Sequence, residues 1–109
     1  MTSETKNVPQ LINVAGEIME RIRTLVHKQV DRRRIAIEIE KLRTIQESLD
    51  EEMRGIDIKR VIHYVDRPDP EVDRLVELYR RKFFAVLLED YEKAKALNDE
   101  IEEIEKNLP

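Results

Sequence analysis

The sequence predicts an all-α protein: a long N-terminal helix or helix pair, a loop, and a C-terminal antiparallel helical hairpin. Three observations point that way. Apolar residues recur at alternating spacings of three and four through most of the chain, as one buried helix face requires. Charged residues make up 40% of the 109 positions and fill the intervals between those stripes. Glycines number two and aromatics only 5%, leaving a composition dominated by helix formers. A chain of this length makes one domain with a modest core, so a helical bundle completed by dimerisation is expected.

Residues 1–8 are polar and read as a disordered lead-in. The N-terminal helical region covers 9–55. Leu11, Ala15, Ile18, Ile22 and Leu25 form its first seam, and Pro9 is tolerated in a first helical turn, where its missing N–H would have no partner. The seam then loses phase, because Gln29 and Arg32 occupy the positions that would continue it. A new stripe runs through Ile35, Ile39, Leu42, Ile45, Leu49 and Met53. Asp31 could cap a second helix at the break. The favoured reading is one long or slightly bent helix over 9–54 that changes packing partner near 29–33 and stops at Gly55.

The linker, 56–69, carries Ile56, Ile58, Val61, Ile62 and Val65. These β-branched residues suit an extended segment, which would need a partner strand, or a short helix. The hairpin occupies 70–108. Pro68 disfavours helix at Arg67, Asp69 is placed to cap, Pro70 sits at the first helical position, and Glu71 and Asp73 suit the positive end of the dipole. Val72, Leu75, Val76, Tyr79, Phe83, Val86 and Leu87 make the buried stripe, and the run from Phe83 to Leu88 is apolar throughout. Asp90 offers a second cap. Tyr91, Ala94, Leu97, Ile101, Ile104 and Leu108 form the last stripe, with Tyr91 expected to pack on Phe83 and Leu87.

The net charge of −4 conceals an uneven distribution. Arg21 to Arg34 is a basic stretch, whereas the chain from Glu89 onward is mainly acidic. Such asymmetry orients two elements or two subunits and argues against general affinity for nucleic acid. A homo-oligomer, a dimer, is the expected assembly. The chain has no cysteine, so no disulfide or thiolate metal site exists. No apolar run reaches signal-peptide or membrane-span length, so no membrane partner is expected and the location expected is cytoplasmic.

The stretch from Glu89 to Ile101, EDYEKAKALNDEI, carries the most information. Tyr91 follows an acidic turn, then come Glu92-Lys93-Ala94, Leu97 and a closing Asp99-Glu100-Ile101. This resembles the UVR motif, the helical hairpin found at the end of UvrB, inside UvrC and in several bacterial adaptor and stress-regulator proteins. Phe83 falls where that family commonly has methionine or leucine, and Val86 near its small apolar position. Lys95 departs from the pattern, replacing a second alanine, as does Asn98, which stands where arginine is usual. The resemblance spans roughly residues 75–106 and says nothing of 1–68. It implies a small protein-interaction module or adaptor, in which a thin hairpin leaves Phe83, Phe84, Leu87, Leu88 and Tyr91 as the interaction residues.

Chemistry has few candidates, and neither catalysis, a cofactor nor a metal is expected. His27 and His63 lack a carboxylate at metal-ligand spacing. Glu47, Glu51 and Glu52 share neighbouring helix faces, as in magnesium-binding helical pyrophosphatases, but no second acidic helix faces them. The segment from Arg32 to Arg43 resembles the first helix of the all-helical chorismate mutases, where arginines bind the substrate's carboxylates; Arg32 or Arg33 with Arg43 would fill those places. The Arg-Glu pair expected after Asp69-Pro70-Glu71 is absent and the intervening loop is too long. Arg32, Arg33 and Arg34 are the remaining anion or charge-pairing candidates, together with Arg43. Adjacent on a helix, the first three point in different directions and form no flat nucleic-acid stripe.

Overall fold

The computed structural model describes residues 7–29, 31–49 and 56–109, and within them the chain forms five helices and no strand. Helix α1 is Val8–His27. Asn7 caps it, its side chain accepting from the Gln10 N–H at 3.1 Å, with Pro9 in the first turn as expected. Its end is fixed by Gln29, which adopts a left-handed φ of 55° and donates its N–H to the Val26 carbonyl. Asp31 then accepts from the Arg33 N–H at 2.8 Å and starts α2, Arg32–Leu49. The single helix expected over 9–54 is therefore two helices. The loss of phase near 29–33 is a chain reversal that folds one seam onto the other. Residues 50–54 and the Gly55 stop lie outside the described residues.

The two helices run antiparallel, with Arg21 of α1 paired to Glu38 of α2 at 2.8 Å. Ile12, Ala15, Ile18, Met19, Ile22 and Leu25 are buried on α1, and Ile35, Leu42, Ile45 and Leu49 on α2. Leu11 and Ile39, assigned to the seams from sequence, lie at their partly buried edges.

Residues 56–68 contain no strand. Asp57 accepts from the Arg60 N–H at 3.2 Å and opens α3, Ile58–Tyr64. Ile58, Val61 and Val65 are all buried, and their spacing of three and four puts them on one helical face. Burial of that face outweighs the β propensity of its residues, a small and context-dependent term.

Helix α4 is Glu71–Leu87 and α5 is Tyr91–Asn107. Pro70 is the cap position of α4 and makes no side-chain cap bond. Asp69 does not cap with its carboxylate, which faces Arg67 at 3.4 Å. The α4–α5 turn is a Schellman closure: Glu89 N–H bonds to Val86 O and Asp90 N–H to Ala85 O at 3.0 and 2.8 Å. It requires a left-handed residue, and Glu89 supplies it with φ 60°. Asp90 then caps α5 through the Lys93 N–H at 3.2 Å, as expected.

The α4–α5 pair is the most extensive helix contact, followed by α1–α2; α1 packs on α4, and α3 bridges α2 to α4. The Cα positions span 44 × 33 × 16 Å, a slab of two hairpins side by side. Tyr79 and Phe83 meet in the core with ring centroids 5.9 Å apart and planes tilted by 49°. The Tyr79 hydroxyl donates to Glu105, which also pairs with Arg60, tying α3, α4 and α5 together. Burial and then the neighbouring Glu105 carboxylate push the Tyr79 hydroxyl pKa well above its usual range.

Candidate interaction surface

The hairpin residues singled out from sequence separate into core and surface. Phe83 is buried, Phe84 and Leu87 are half-buried, and Leu88 and Tyr91 are 77% and 63% exposed. Tyr91 does not pack across the turn onto Phe83 and Leu87. It is the first residue of α5, directly after its cap, and the buried face of that helix begins a turn later with Ala94, Leu97 and Ile101. Tyr91 and Leu88 instead flank the Glu89-Asp90 turn. Two large apolar side chains thus stand in water on a backbone fixed from both sides, by the Schellman closure of α4 and the Asp90 cap of α5.

The seam beneath this tip has its own polar contact. Lys82 of α4 donates to Asn98 Oδ1 of α5 at 2.8 Å. Burial lowers the Lys82 pKa, and an arginine at position 98 would set a second cation against a lysine already short of water. Lys95 is exposed on α5 and takes no part in this seam.

The four arginines proposed for anions do not form one site. Arg32, Arg33 and Arg34 are exposed in the first turn of α2. Arg43 lies about 15 Å further along the helix and is paired with Glu40. Neither the groove between α1 and α4 nor the smaller hollow beside Asn7 and Ser48 is lined by any of them. Among the described residues no group of three or more His, Cys, Asp or Glu side chains is placed to hold a metal ion. No described helix is long and apolar enough to cross a membrane.

The α1–α4 groove, about 620 Å³, has Val76 and Phe84 on its apolar floor and Glu20, Glu77, Arg80 and Arg81 around it. Arg80 pairs with Glu20 across it and lies over Gly16, where an added Cβ would fall 2.6 Å from Arg80 Nε. At one end sits Arg23, 5% exposed. It donates to Asp73 Oδ1 at 2.7 Å and to the carbonyls of Val65, Arg67 and Asp69 at 2.8, 2.6 and 3.2 Å. His27 Nε2 lies 2.7 Å from Asp73 Oδ2. Burial raises the Asp73 pKa, but the hydrogen bonds and charges of Arg23 and His27 outweigh it, and the net shift is downward. Reading the sequence in stretches of charge missed this arginine, although Arg23 follows Ile22 directly and lies four residues after Met19, at the edge of the apolar face.

A scan against family models finds no match to the chain, and comparison with curated proteins and with solved structures finds none.

Proposed function

We propose that the protein is a small, non-catalytic interaction module, a UVR-like helical hairpin whose tip binds another polypeptide. The observation that carries this is the pair Leu88 and Tyr91, both exposed, one on each side of the capped α4–α5 turn. Exposed apolar side chains on a rigid turn lose little conformational entropy on binding, which is how aromatic and leucine anchors contribute affinity. The sequence resemblance supports the same reading, with Ala94, Leu97 and Ile101 supplying the buried face that such a hairpin needs. Phe84 extends the apolar surface from the tip toward the α1–α4 groove.

A photo-crosslinking amino acid at position 91, introduced into the full chain in cells, tests this. The expected result is a covalent adduct with a polypeptide, lost when Leu88→Asp is added. An adduct yield no higher than that of a probe at exposed Lys95 on the side of α5 would refute it.

A further inference from the structure

We infer that the partner of the hairpin tip is a second copy of this chain, which receives it on the exposed face of α2 around Ile37. This deepens the tip-binding reading and rests on it. Ile37 is 56% exposed, and with Val14, Leu88 and Tyr91 it completes the large exposed apolar side chains among the described residues. Its helical neighbours at three and four positions are Arg33, Arg34, Glu40 and Lys41. Glu40 is paired with Arg43 and Lys41 with Glu38, so among the described residues the unpaired charge beside Ile37 is that of Arg33 and Arg34. Leu88 and Tyr91 are set among Glu89, Asp90 and Glu92, with Lys93 and Lys95 following on α5, so acids outnumber bases at the tip by three to two. One apolar centre has a basic rim and the other an acidic rim, as complementary docking surfaces require.

A local conflict in the sequence strengthens the match. The N-terminus of α2 is the positive end of its dipole; Asp31 caps it, but its first turn holds Arg32, Arg33 and Arg34 and no acid. No ion pair among the described residues relieves these arginines. An acidic tip placed there would compensate both the side chains and the dipole. Residues that oppose their own helix are expected where binding offsets the conflict.

The contact must form between copies. The Arg23–Asp73 and Arg80–Glu20 pairs make α1 and α4 antiparallel, so the α1–α2 turn lies beside the start of α4. The hairpin tip is at the other end of α4. Ile37, beside Glu38 and so level with Arg21, is about 12 Å from it along the axis. Helix α1 intervenes, because among the described residues α2 touches α1 and α3 but not α4 or α5. A tip-to-face contact uses two different patches: made reciprocally it closes a two-fold dimer, and made one way only it adds copies head to tail.

Sedimentation velocity of the full chain over rising concentration tests the inference. In low salt the weight-average mass should climb past the monomer, and in about 1 M salt, where the screening length falls to about 3 Å, it should drop back. The double variants Arg33→Glu/Arg34→Glu and Glu89→Lys/Glu92→Lys should each weaken association by about tenfold or more, and mixing them should restore it. Arg33→Glu/Arg34→Glu should also raise the melting temperature, because acids suit the start of α2, so lost association cannot be ascribed to lost folding. Association that survives both double variants, or mixing that restores nothing, overturns the inference. If the wild type stays monomeric while a probe at position 91 captures a different polypeptide, the self-contact fails and the hairpin reading stands. If neither occurs, both fail.

Discussion

Arg23 Nε lies 2.7 Å from Asp73 Oδ1 across the α1–α4 interface, and the rest of the same guanidinium holds three carbonyls of the α3–α4 connector. A single side chain on α1 thereby fixes both the approach of α4 and the path of the chain that leads into it. Lysine cannot reproduce the planar fork of donors. Arg23→Ala is expected to cost about 2–4 kcal/mol, because it leaves the buried Val65 carbonyl and part of Asp73 without partners. Arg23→Lys should recover less than half of that. Urea unfolding followed by circular dichroism measures both.

The same carboxylate sets an acid limit. Asp73 has a lowered folded pKa, so its contribution to stability is fully present above the ordinary aspartate value of 3.8 and is lost as pH falls through the folded value. Glu38 behaves alike: burial opposes its ionisation, but hydrogen bonds from Lys41 and Arg21 lower its pKa overall. Asp73→Asn should therefore be less stable than the wild type at neutral pH, and the gap should close as pH drops below about 4. A gap that stays constant through that range would show that Asp73 acts through packing or neutral hydrogen bonding alone.

Core and tip should respond oppositely to truncation. Phe83→Ala removes a fully buried ring and should cost about 3–5 kcal/mol. Tyr91→Ala and Leu88→Asp alter exposed side chains and should each shift stability by no more than about 0.5 kcal/mol. Thermal melts of the three variants separate them.

Glu89 occupies a left-handed position that glycine enters without a Cβ penalty. Glu89→Gly should stabilise the monomer by about 0.5–1 kcal/mol. Its melting temperature should rise, provided the comparison is made at a concentration where the protein does not associate.

The all-helical class, the α4–α5 reversal and most buried positions could be read from spacing, because one stripe of apolar residues per helix is a strong local signal. Ile35, Leu42, Ile45 and Leu49 were assigned this way and are buried. The break at 28–31 was harder, since Gln29 is an unusual residue for a left-handed helix end and the usual glycine signal is missing. Tyr91 was misplaced for a different reason. Extending a stripe of buried positions back to the first residue of a helix ignores the fact that this residue sits at the tip, where no neighbouring helix reaches. Arg23 could not be found from composition at all: its four partners lie 42 to 50 residues away, and only the folded chain brings them together.

That separation also orders the folding reaction. Each hairpin is built from contacts close in sequence, which form early and cheaply, whereas the arginine clamp must wait until both have assembled and met. A lesion in a late contact leaves the climb to the transition state unchanged and shortens the residence of the native state. Arg23→Ala should accordingly steepen loss of structure by raising the unfolding rate while the refolding rate stays near that of the wild type, as stopped-flow chevrons would record. On this account the guanidinium is expected to govern the lifetime of the native state more than the speed of reaching it.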